Sequence, residues 1–272
     1  MLRLAINELT TYRWTLEQDL ESYRQAGING IGVWRQKLTD YGVQQGVELV
    51  FESGMEVSSL QWAGGFTGND GSSHRESIQD GFDAIELAAA IQANCLTTYT
   101  GGRGGHTRSH AKRLAVSAIR ELANYASDLD VTLAIEPMHR GCGRDWTFLH
   151  DLDRSLEFLD AVDCDNVKLL FDTYHFGGRP DILDKIPMLT DRIALVQLGD
   201  ALGQPFGEQD RCPLGHGELP LQDIVQCLQE SGYDGFYEIE LLGQQIEVLD
   251  YASLLDQSCN AIFDFARVAS QG

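Results

Sequence analysis

The chain has 272 residues, 43% of them apolar and 22% charged, which is ordinary for a globular protein with a full core. With 20 basic and 41 acidic residues the net charge is −21, which argues against nucleic-acid backbones and anionic membrane surfaces as partners. No apolar run approaches membrane-spanning length, and the best, AIELAAAI at 84–91, carries Glu86. The opening MLRLAINELT lacks a long apolar segment and a small-residue cleavage site, and reads as a first strand near 2–6. From there short β-branched or leucine-rich runs alternate with amphipathic stretches. A helix near 15–26 leads to a strand near 29–33, a helix near 38–46 to a strand at 56–61, and a helix at 75–92 to a strand at 94–98. The helix at 108–129 sets Leu114, Ala118, Leu122, Tyr125 and Leu129 on one face. Strands at 131–135, 167–171, 193–198 and 236–240 follow, separated by helices near 150–161, 180–190 and 220–231, and a helix at 247–268 closes the chain. Eight such alternations without a Pro/Gly-rich linker predict a single-domain α/β fold over 1–272, a closed (β/α)8 barrel. An open doubly wound sheet competes, but its glycine-rich fingerprint after the first strand is missing. Six cysteines (Cys95, Cys142, Cys164, Cys212, Cys227, Cys259) show no C-x-x-C pair or zinc-finger spacing, and read as reduced thiols of a cytoplasmic protein.

Four polar residues each close an apolar run: Glu136 in LAIEP, Asp172 in LLFDTYH, Gln197 in LVQLGD and Glu240 in YEIEL. Their separations of 36, 25 and 43 residues each hold one βα unit, which puts all four at the same end of neighbouring parallel strands. Three carboxylates converging on one spot repel unless a cation sits between them, so the pattern points to a divalent-metal site at the barrel mouth. For any one of them alone, a helix cap or an exposed charge is the simpler reading. The other strand ends supply Asn7 and Glu8, Trp34 and Arg35, Gln61 and Trp62, Tyr99, the Pro137–His139 stretch, Thr173 to His175, and Asp200. That is a polar, aromatic-walled mouth suited to a polyol.

LAIEPMH, LLFDTYH, VQLGD, LGHGELPLQDIVQCLQESGYDGF and YEIEL, in this order, resemble the sugar phosphate isomerase/epimerase family of xylose isomerase-like TIM barrels. TLEQDLESYRQAGINGIGVWR is similar to that family's first helix and second strand. The resemblance implies one divalent cation held by Glu136, Asp172, Gln197 and Glu240, with Glu136 and Glu240 also shuttling protons at the substrate. Gln197 departs from the family, whose third ligand is usually histidine. Loss of that nitrogen shifts preference from Zn2+ or Co2+ toward Mn2+ or Mg2+; the alternative is a weakened or lost metal site. The resemblance also places His175 on substrate hydroxyls and Arg211 at the substrate. Against these stand a supporting role beside Asp172 for His175 and a surface salt bridge for Arg211.

Trp34 and Trp62, with Trp14 and Phe66, could stack on sugar C–H faces, and His139 joins the substrate side of the mouth. GGRGGHTR at 101–108 could cradle a phosphate with backbone N–H groups or serve as a hinge. The implied activity is metal-dependent proton transfer beside the carbonyl of a keto-sugar or keto-cyclitol through an enediolate, either epimerisation or isomerisation. A dehydratase on the same site is the runner-up, followed by a non-catalytic sugar-binding relative. A repair endonuclease of the same superfamily would need a histidine-rich zinc cluster and a basic face, which these residues do not offer. The expected partner is a small sugar or cyclitol, and assembly into a homo-oligomer stays open.

Overall fold

Runs such as IALVQL are buried along their whole length, as suits strands with helices packed outside and side chains packed inside. The computed structural model describes residues 2–141, 144–207 and 210–269. In it, β1 (Arg3–Asn7), β2 (Gly30–Trp34), β3 (Glu56–Ala63), β4 (Cys95–Thr98), β5 (Thr132–Ile135), β6 (Val167–Asp172) and β7 (Ile193–Leu198) lie side by side in chain order. After a two-stranded antiparallel ribbon, β8 (Asp200–Ala201) with β9 (Arg211–Cys212), the strand β10 (Phe236–Ile239) closes the parallel barrel between β7 and β1. The expected (β/α)8 barrel is what the chain forms.

The helices are α1 (Leu16–Gln25), α2 (Arg35–Tyr41), α3 (Val43–Ser53), α4 (His74–Ala90), α5 (Arg108–Asp128) and α6 (Leu152–Val162), then α7 (Thr173–Phe176), α8 (Ile182–Leu189), α9 (Leu221–Glu230), α10 (Gln244–Glu247) and α11 (Tyr251–Ala269). Thr15 and Ser73 open α1 and α4 with capping boxes. The single helix expected at 38–46 is a correction: the segment forms two helices, starting at Arg35 and running to Ser53, broken at Gly42, whose φ of 105° no ordinary residue adopts readily. The one-turn α7 and the ribbon add to the expected alternation of strands and helices. No described helix is long and apolar enough to cross a membrane. The described cysteines are free thiols, and Cys142 lies outside the described residues.

Two-residue alternation builds the barrel interior in layers. Ala5, Cys95, Ala134, Leu170, Leu195 and Phe236 form an apolar plug. Two residues further along five of these strands come Asn7, Glu136, Asp172, Gln197 and Glu238, all buried. The step from apolar to polar, taken in register, is what places a reactive floor at the strands' C-terminal ends.

Candidate active site

Asp172 pairs with Gln197 across β6 and β7, and Gln197 with Glu238 across β7 and β10, while Glu136 and Glu240 directly follow β5 and β10. All of the expected quartet is buried, and the barrel brings it together. Asp172 also caps α7: its Oδ1 accepts the Tyr174 N–H at 2.8 Å, which starts a helical turn and returns His175 over it. His175 Nε2 then lies 3.5 Å from Glu136 Oε1 and 3.7 Å from Asp172 Oδ2. Its Nδ1 is 2.9 Å from His139 Nδ1, so one ring donates to the other. Glu136, Asp172 and His175 present donor atoms within 4.8 Å of one another, close enough to share one metal ion.

Arg211 enters from β9. Its Nη2 donates to Asp172 Oδ2 at 2.9 Å and to Glu240 Oε2 at 2.8 Å, Nη1 donates to the Glu240 carbonyl at 3.1 Å, and the guanidinium lies 4.4 Å over the Tyr174 ring. At 4% exposure it is no surface salt bridge, which corrects that alternative. Gln197 Nε2 donates to Glu240 Oε1 at 3.2 Å and to Glu238 Oε1 at 2.9 Å. Both Glu240 oxygens accept a protein donor, as both Asp172 oxygens do, and the three groups whose donor atoms converge are Glu136, Asp172 and His175. Gln197 Oε1 is buried with no hydrogen-bond partner among the described residues.

Burial sets the electrostatics. It pushes Glu136 up to about 8, with help from Asp172 and opposition from Arg211. Burial likewise holds Glu240 well above the usual carboxylate range, again against Arg211. Burial, with His175 beside it, lowers His139 to about 4, so its ring is neutral. Two buried carboxyls with raised proton affinity beside a fixed guanidinium are placed to exchange protons with a substrate.

Trp62 packs edge-on against Tyr99 at 5.8 Å and Trp146 at 5.4 Å, and Tyr99 in turn hydrogen-bonds Glu136. These three rings line a cavity of about 190 Å³ that reaches Arg35 and Asn69. Trp34 is partly buried at the end of β2, its backbone N–H donating to Glu8 Oε2 at 2.6 Å. The stacking role expected of Phe66 is corrected. Phe66 is wholly buried in the core, so a sugar does not meet it, while Trp14 is partly buried and packs edge-on to Tyr251 against that core. In the 101–108 run the Gly101 and Gly102 N–H groups donate to the Trp146 and Asp145 carbonyls, and the His106 N–H donates to the Arg103 carbonyl. Asp200 turns inward to its own loop, accepting the N–H groups of Ala201, Gly215 and Gly217 at 2.9–3.0 Å and so fixing the ribbon.

Glu238 and Trp146 join the site without having been among the residues expected there. Glu238 sits two residues before Glu240 in YEIEL, so the period of a strand puts both on one face, and that was the available signal.

The profile of the xylose isomerase-like TIM barrel family matches residues 20–259. The chain is 31% identical over 122 residues to the D-psicose 3-epimerase of Enterocloster bolteae, a match covering 44% of this chain but only 37% of the epimerase. It is 22% identical over 251 residues to the inosose isomerase of Bacillus velezensis, covering 88% of both chains. The solved structure of the IOLI protein with a binding zinc atom superposes with a TM-score of 0.84 at 20% identity, covering 97% of this chain and 98% of the other.

Proposed function

The chain belongs to the xylose isomerase-like TIM-barrel family, and from that premise we propose that it is a sugar or cyclitol isomerase or epimerase acting at the carbon beside a carbonyl. The observation that carries this reading is the pair Glu136 and Glu240, two buried carboxyls with raised proton affinity on strands that flank Asp172 and Gln197. The named relatives, an epimerase and an inosose isomerase, support it.

The residues also fit a divalent cation. Glu136, Asp172 and His175 converge, and the unpartnered Gln197 Oε1 is a buried oxygen awaiting a donor or an ion. These four would hold it, an oxygen-rich set that suits Mn2+ or Mg2+, with Zn2+ admitted by His175. When bound, such an ion supplies electrophilic polarisation of the substrate's carbonyl and neighbouring hydroxyl.

In this scheme Glu240, held in place by Arg211 and Gln197, and Glu136, held by Tyr99 and His175, divide the proton work. One carboxylate takes the proton from the carbon beside the carbonyl. Return by the other to the opposite face of that carbon gives epimerisation, and return to the neighbouring carbon gives isomerisation. Trp62, Tyr99 and Trp146 form the apolar wall against which the C–H face of a sugar rests.

The test is NMR in D2O on a panel of ketoses and keto-cyclitols with Mg2+ or Mn2+ added. Deuterium should appear at a carbon beside the carbonyl of at least one compound; a metal-loaded protein that exchanges none of them refutes the proposal. Glu240→Gln should slow exchange by ~100-fold or more, the usual size of a general-base contribution. Accumulation of a dehydrated product with no epimer or isomer would replace the isomerase reading by a lyase one.

A further inference from the structure

Beneath the site lies a carboxylate that proton transfer does not use. Glu238 is wholly buried on β10, one inward position below Glu240. Its oxygens accept Asn7 Nδ2 at 2.7 Å, Ser58 Oγ at 2.6 Å, Ser59 Oγ at 2.7 Å and Gln197 Nε2 at 2.9 Å. A charge placed there and answered by donors from β1, β3 and β7 is a built feature, because a carboxylate inside a barrel is tolerated only when its lone pairs are satisfied.

The bond to Gln197 decides which end of that amide is free. The NH2 group has two N–H donors, one near Glu238 Oε1 and one near Glu240 Oε1. Turned end for end, the side chain would press its carbonyl oxygen against two carboxylate oxygens. The carbonyl oxygen is therefore the end left over, buried and without a hydrogen-bond partner among the described residues. Such an oxygen is an anomaly in a protein interior and ordinary in the shell of a hard cation.

We infer that Glu238 is a positioning residue for cation binding: by holding the Gln197 NH2 group it presents Gln197 Oε1 as a metal ligand. The inference rests on the cation site proposed above. Physically it is the amide counterpart of a metal-bound imidazole whose far N–H is anchored by a carboxylate. Hydrogen bonding of the N–H groups to an anion also draws electron density toward the carbonyl oxygen, which makes it a stronger hard donor.

The experiment is calorimetric titration of chelator-stripped protein with Mn2+ and, separately, Zn2+. Wild type should bind one ion per chain. Glu238→Met removes the anchor and should weaken Mn2+ binding by ~10–100-fold, the usual effect of losing such a supporting partner. Glu238→Gln keeps an acceptor oxygen for the Gln197 N–H and should recover most of that loss, which a purely structural role for the charge would not produce. Gln197→His replaces the oxygen ligand by nitrogen and should move the Zn2+-to-Mn2+ affinity ratio toward Zn2+ by ~10-fold or more. Wild-type Mn2+ affinity in Glu238→Met overturns the inference, as does an unchanged metal ratio in Gln197→His. Thermal melting of the stripped variants reports folding, and if Glu238→Met does not fold the histidine variant decides alone. A wild type that binds neither ion sinks the cation site itself; variants that fail to respond in a metal-binding protein sink this inference only.

Discussion

Gly32 shows how one side chain constrains another across the barrel. A Cβ at position 32 would lie 2.5 Å from Glu238 Oε2 and 3.0 Å from Ser59 Oγ, and one at position 30 would lie 2.7 Å from the Leu4 carbonyl oxygen. In the GIGVW run the two glycines are thus the inward positions of β2, and the space a side chain would take at 32 belongs to the Glu238 carboxylate. From sequence alone GIGVW is a weak strand with two glycines, and nothing in it announces a buried anion on the far wall. A charged residue inside a core is also the last thing a reading by residue type expects. Gly32→Ala should therefore displace Glu238 and cost about 1–3 kcal/mol by overpacking, read as a lower midpoint in urea unfolding. The same variant should weaken Mn2+ binding. An unchanged urea midpoint would mean that the carboxylate has room to retreat.

The expected quartet was legible because its cause is an element-scale regularity. Parallel strands of a barrel expose one end to the loops, so a polar residue closing each apolar run has only one place to go. The same logic gave the strands to within about two residues, the ordinary margin for element boundaries. What stayed hidden has no periodicity to detect. The ribbon that carries Arg211 inward has two-residue strands, β8 and β9, and depends on Asp200 gathering three backbone N–H groups. The joint between α1 and α2 is equally silent. Lys37 on α2 is 7% exposed, donates to the Thr11 carbonyl oxygen at 3.0 Å and pairs with Asp19 on α1, with Glu8 Oε1 3.9 Å away. Burial keeps the Glu8 carboxyl well above its usual range, so the group carries less negative charge than its three members suggest. Lys37→Met leaves Asp19 buried without its cation and should cost about 3–5 kcal/mol in urea unfolding. The double variant with Asp19→Leu should be more stable than Lys37→Met. If it is less stable, the loss comes from packing of the lysine stem rather than from the stranded charge.

At the scale of the whole molecule, two electrostatic effects overlap and have to be separated. A net charge of −21 spread over the surface opposes the compact state, and any salt relieves part of that repulsion. A cation at Glu136, Asp172, His175 and Gln197 acts differently, because it binds the folded barrel and not the unfolded chain, in which these residues are far apart in sequence. At a free concentration one hundred times its Kd such an ion stabilises by about 2.7 kcal/mol. For a barrel of this length that corresponds to a rise in Tm of roughly 5–10 °C. NaCl at matched ionic strength supplies only the screening and should raise Tm by less. Glu136→Gln removes one ligand oxygen's charge while leaving the surface as it was, so it should lose most of the response to Mn2+ and keep the whole response to NaCl. Equal Mn2+ responses in wild type and Glu136→Gln would place the ion on the acidic surface instead of in the barrel mouth.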